Sequence, residues 1–191
     1  MGVLAALLVL VGALALVPPE ETLGGRIRLV YAHGAGVWAG LAFFVLASVF
    51  ALLGLRDRRW LGRALAADLA GAGLWVISLI LSLLAMKVVW GGLFLAEPRF
   101  LNALRVLGLS LAVLALHWLL PAGPLWLRTL APGIRTALAF YWILTTKLVM
   151  HPDRPVLQAE AVMQVSFLGV LLGWLLLAWA AIRLGSRYVE G

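Results

Sequence analysis

The chain has 191 residues, of which 64% are hydrophobic and 12% charged, whereas soluble domains run at about 45–50% apolar and about 25% charged. That excludes an ordinary soluble domain, and the absence of cysteine excludes a disulfide framework, a thiol nucleophile and a thiolate-bound metal. The formal charge of +7 comes from basic residues spread singly between apolar runs, a pattern that sets membrane topology and contacts lipid headgroups and carries no nucleic-acid motif.

A membrane-spanning helix takes about 20 mostly apolar residues. Residues 1–19 are uncharged and end at Pro18-Pro19. No Lys or Arg precedes this run, so it reads as a retained helix rather than a signal peptide. Residues 29–55 are uncharged between Arg28 and Arg56, and residues 69–86 between Asp68 and Lys87. Residues 106–127 are uncharged and broken at Pro121 and Pro124; residues 161–182 are uncharged before Arg183. The span 129–150 is less apolar, because it holds Pro132, Arg135 and Lys147, the last near enough to one end to snorkel. The expectation is an all-α polytopic membrane protein. It has six transmembrane helices and an extracytoplasmic aromatic loop between helices three and four, and forms a single domain over 1–191. There is no internal repeat, low-complexity tract or long linker.

Orientation rests on the stretch RDRRWLGR at 56–63, which brings four arginines to one connection. Placing it inside puts both termini in the cytoplasm, with eight Lys and Arg inside and seven outside. The protein is then a multi-pass protein of the cytoplasmic (inner) membrane.

Function is expected in the connections or between helices, and the histidines are the first place to look. A histidine in or beside a span is costly unless paired or used. There are three: His33 early in helix two, His117 late in helix four, and His151 after helix five. Even numbers of crossings return a chain to the same face. His33, the loop VVWGGLFLAEPRF at 88–100 and His151 therefore share one side, and His117 belongs to the opposite half. Two imidazoles over an aromatic loop suit haem b, with His33 and His151 as axial iron ligands. Trp90 and Phe94 offer flat apolar faces, Arg99 a partner for a propionate, and Gly91 and Gly92 close backbone approach. The plainer reading makes boundary tryptophans belt anchors and a lone histidine a satisfied polar residue; it is preferred for His117. Asp68, just inside helix three, pairs with Arg63 or Arg135.

With these residues placed, the chain resembles the haem-handling proteins of cytochrome c maturation, the CcmC/CcsA type. That family carries a tryptophan-rich loop, approximately W-G-x-x-W-x-W-D-x-R, flanked by two histidines. Here the string is WGGLFLAEPR. Trp90, Gly91 and Arg99 match, while Phe94 and Ala96 stand in place of tryptophans and Glu97 in place of the aspartate. RIRLVYAHGAGVWAG and YWILTTKLVMHPDRP resemble the segments that carry the family's histidines, so that the resemblance covers about residues 25–180.

The resemblance implies a protein that is not an enzyme and that presents haem at the outer face of the membrane. The recipient would be a haem chaperone of the CcmE type, with the ABC transporter CcmA/CcmB and the small subunit CcmD as partners. Two other readings stay open: a b-type cytochrome subunit carrying electrons, and a haem-free transporter or assembly subunit.

Overall fold

The computed structural model describes residues 2–120, 123–147, 156 and 159–189, with the side chains of 184–189 excepted. It is helical throughout: α1 (Val3–Leu16), α2 (Ile27–Leu53), α3 (Arg59–Val89), α4 (Pro98–Leu119), α5 (Leu125–Thr145) and α6 (Ala161–Val189). No strand occurs among the described residues. Four helices are long and apolar enough to cross a membrane: α2, α3, α4 and residues 161–183 of α6. α1 is apolar but has 14 residues, about 21 Å of helix, against a hydrocarbon core of about 30 Å.

α2 is the hub. It packs most extensively on α3 and also touches α5, α6 and α1, while α4 bridges α3 and α5, and α1 lies on α6. Lipid supplies no hydrophobic drive between helices, so association depends on close packing of small residues. The sequence provides them at helical spacing: Ala35, Ala39, Ala47 and Ala51 are wholly buried on α2. A methyl at Gly36 would collide with Ser78 Oγ, and one at Gly71 would come within 2.5 Å of the Phe44 ring. These contacts run α2 and α3 antiparallel.

The core divides on either side of α2. Ala35, Ala39, Phe43 and Ala47 pack with Leu10, Phe167, Val170 and Trp174. Leu41 and Phe44 pack with Trp75, Leu79, Phe100, Val106 and Ala139. Large apolar side chains such as Leu4, Leu16, Ile80, Leu111 and Val165 lie on the outside, as lipid contact requires.

Two tryptophans are not boundary anchors. Trp75 is 2% exposed and donates Nε1–H to Ala103 O at 2.9 Å, tying α3 to α4. Trp174 donates to Ala32 O at 3.0 Å, tying α6 to α2. Each buries a large ring and satisfies its donor on the next helix. Trp118 and Trp126 are exposed, as belt residues would be.

Helix boundaries differ from the charge-free runs. α4 begins at Pro98, eight residues before the uncharged stretch, and stops at Leu119, so Leu125–Leu127 open α5 instead. α3 extends beyond Asp68 to Arg59. A charge does not interrupt a helix's backbone hydrogen bonds, so α3 runs on past Asp68, whose carboxylate is paired inside the bundle. Caps set its end.

Candidate functional site

The loop between α3 and α4 is built by its two helix ends. Trp90 is the C-cap of α3 and sends its N–H to Met86 O. Gly91 follows at φ +75, the left-handed conformation that terminates helices and favours glycine. Gly92 N–H also reaches back to Met86 O. Residues 93–96 then expose Leu93, Phe94 and Leu95, with the Phe94 ring beside Gly92.

Glu97 opens α4. Its Oε2 accepts from Phe100 N–H at 2.7 Å while Pro98 occupies the first turn. A carboxylate at that point satisfies an orphan donor and faces the positive end of the helix dipole, and Pro98 has no N–H to lose there. Glu97 is buried, with Oε1 making no hydrogen bond. Arg99 sits half-buried in the same first turn.

Beside the loop, α4 and the end of α5 form a groove of about 460 Å³ lined by Pro98, Leu101, Asn102, Arg105, Thr146 and Lys147. Arg105 Nη1 donates to Asn102 Oδ1 and Asn102 Nδ2 to Thr146 Oγ1, both at 2.6 Å. Asn102 and Arg105 were not singled out in the sequence. The signal was present, since Arg105 and Lys147 both end apolar runs on the loop's side.

His33 lies deeper than its place near the start of α2 suggested. It is half-buried, and Nδ1 stands 2.9 Å from Ser78 O. A carbonyl only accepts, so Nδ1 carries the proton and Nε2 is the nitrogen with the lone pair. Ser78 precedes Trp90 by 12 residues on α3, which is about 18 Å of helix axis. The described residues thus bring Trp90, Phe94, Glu97 and Arg99 together at one end and set His33 below them. His151 lies outside the described residues.

Farther along α3 comes Asp68, 10 residues from Ser78, about 15 Å. Arg135 Nη2 donates to Asp68 Oδ1 at 2.6 Å, with both side chains essentially fully buried. Of the two partners proposed for Asp68, the structure selects Arg135. Arg63 instead lies over the Trp60 ring at 4.3 Å, and Trp60 stacks on Phe50. His117 lies near the far end of α4, buried, with Nδ1 2.9 Å from Val113 O.

Among the described residues, no three His, Asp or Glu side chains gather as a metal site. No protein-family model matches the chain, and no curated protein is similar enough to match it.

Proposed function

We propose that the protein holds haem as cargo at the outer face of the cytoplasmic membrane and presents it for transfer during cytochrome c assembly. The observation that carries this reading is the His33 contact. Iron-ligating histidines characteristically donate their second nitrogen to a carbonyl or carboxylate, which fixes the tautomer and orients the ring. The Nδ1 contact with Ser78 O orients the ring in this way. His33 has that chemistry and lies on the loop's side of the ion pair. His151 is the second ligand in this reading, and Trp90, Phe94 and Arg99 form the aromatic and cationic rim. Glu97 shapes the rim by starting α4 where Arg99 follows. Haem itself supplies an iron to be coordinated and two propionates to be paired; the chain binds and releases it without chemistry upon it.

The same reading takes all six helices as spans, with both termini cytoplasmic. α5 supports this because its one deeply buried charge, Arg135, is neutralised by Asp68, lowering the cost that counted against it. Partners would be a CcmE-type chaperone, the CcmA/CcmB transporter and CcmD. Since the chain has no cysteine, single-cysteine variants report topology cleanly. Gly92→Cys should label from the outer face and Gly62→Cys from the inner; the reverse pattern contradicts the orientation.

A haem-free assembly or transport subunit is favoured by one observation: Gly91 and Glu97 are explained by the helix ends they make. The visible spectrum of protein purified in mild detergent separates the two. A six-coordinate haem spectrum that disappears in His33→Ala and in His151→Ala supports haem carriage. A folded wild-type protein that takes up no haem, or a spectrum unchanged in both variants, overturns it.

A further inference from the structure

In the groove beside the loop, the first turns of α4 meet the last turn of α5, and polar side chains link the two helices in series. Arg105 Nη1 donates to Asn102 Oδ1 and Asn102 Nδ2 to Thr146 Oγ1, both at 2.6 Å, and Thr146 Oγ1 in turn donates to Trp142 O. The Arg105 guanidinium also stands 5.9 Å from the centroid of the Trp142 ring. These contacts hold the guanidinium toward the end of α5, where Lys147 follows the capping Thr146. Arg105 and Lys147 thus line one groove of about 460 Å³, and both are exposed.

The groove's lining contains no carboxylate, and neither cation makes an ion pair among the described residues. Asn102 takes only one of the guanidinium donors. Two like charges lining one groove repel, and an anion between them removes that cost and accepts from both. The bilayer decides which anion. α4 is long and apolar enough to span it. The face of α4 that carries Arg105 also carries Leu101 and Leu104, with Leu111 two turns farther along, and all three are exposed. A free phosphate would satisfy the cations and leave this stripe uncovered. A phospholipid sets its phosphate in the groove and its acyl chains along the leucines. Its headgroup is constrained too. Ethanolamine or choline would bring a further cation to a groove without a carboxylate to receive it, whereas glycerol brings none.

We propose that the groove between α4 and α5 binds one anionic phospholipid of the phosphatidylglycerol class, with Arg105 and Lys147 holding the phosphodiester and Leu101, Leu104 and Leu111 meeting the acyl chains. Asn102 and Thr146 position the guanidinium. The site is independent of haem carriage, since it uses none of the residues assigned to haem.

Native mass spectrometry of the full-length protein, delipidated in mild detergent and titrated with phosphatidylglycerol or phosphatidylcholine of the same acyl chains, tests this. The wild-type protein should bind one phosphatidylglycerol more tightly than the choline lipid. That binding should weaken about fivefold in Arg105→Gln or Lys147→Gln and about thirtyfold in the double variant. Inorganic phosphate at concentrations matching the lipid should not displace it. Equal affinity for the two lipids overturns the proposal, as does binding that persists unchanged in the folded double variant, because the lipid would then sit elsewhere. Displacement by inorganic phosphate also overturns it, since the groove would then take a free anion. If the variants at Arg105 do not fold, Lys147→Gln, at an exposed position beyond the end of α5, decides alone.

Discussion

His33 and His117 make one local contact in two unlike settings. Each ring holds Nδ1 2.9 Å from a main-chain carbonyl, Ser78 O on the neighbouring α3 for His33 and Val113 O on its own helix for His117. The contact fixes the same tautomer in both, so tautomer alone assigns no role. The surroundings do. His117 is enclosed on α4, with Nε2 making no hydrogen bond among the described residues. His33 is half-buried and oriented by tertiary packing, on a stretch of α2 where Gly36 lets α3 come close. One imidazole is enclosed in the bundle; the other, half-buried, is the one proposed as an iron ligand.

The largest effect expected from breaking this contrast is at the ion pair. Asp68→Leu or Arg135→Leu alone strands a buried charge and should cost about 3–5 kcal/mol. The double variant should recover most of that loss, as measured by unfolding in a fixed detergent. Equal losses in single and double variants would mean that the pair is not coupled. Gly71→Val comes next: its side chain would be driven into the Phe44 ring, and overpacking of this kind costs about 1–3 kcal/mol. The same unfolding assay reads it, and a neutral result would show that α2 and α3 approach less closely. Glu97→Ala should cost about 1 kcal/mol through the lost cap, with Glu97→Asp retaining most of the stability because its shorter carboxylate still serves as a cap. Should haem uptake fall with Glu97→Ala while stability does not, Glu97 acts on the ligand and not on α4. Gly91→Ala should have a comparable effect, about 1 kcal/mol, because alanine resists the left-handed backbone.

Much of this arrangement was legible in the sequence, and the misses have physical causes. Counting crossings placed His117 in the opposite half from the loop, and it lies near the end of α4 remote from Glu97. Charge complementarity in an apolar setting named Arg135 as one of two partners for Asp68. The bounds of α4 were missed because an uncharged run marks what lipid tolerates, whereas Glu97-Pro98 is the cap that starts the helix. Glu97, with Trp90 and Gly91 before it, also reads as ligand chemistry, since helix caps and binding loops draw on the same residue types. The depth of His33 was hidden for a different reason. It depends on how far α3 runs past the start of α2, a register set by glycine contacts between helices rather than by either sequence alone. Nothing in the sequence separates Trp75 and Trp174 from boundary tryptophans, because composition carries no information about which way a ring faces.

The most direct test of the contrast is haem titration of purified wild-type protein, His33→Ala and His117→Ala in one detergent, followed by visible absorption. The account predicts that His33→Ala loses the six-coordinate haem spectrum while His117→Ala keeps it and shows only lower thermal stability. Loss in His117→Ala with retention in His33→Ala, or identical spectra in all three proteins, would contradict it.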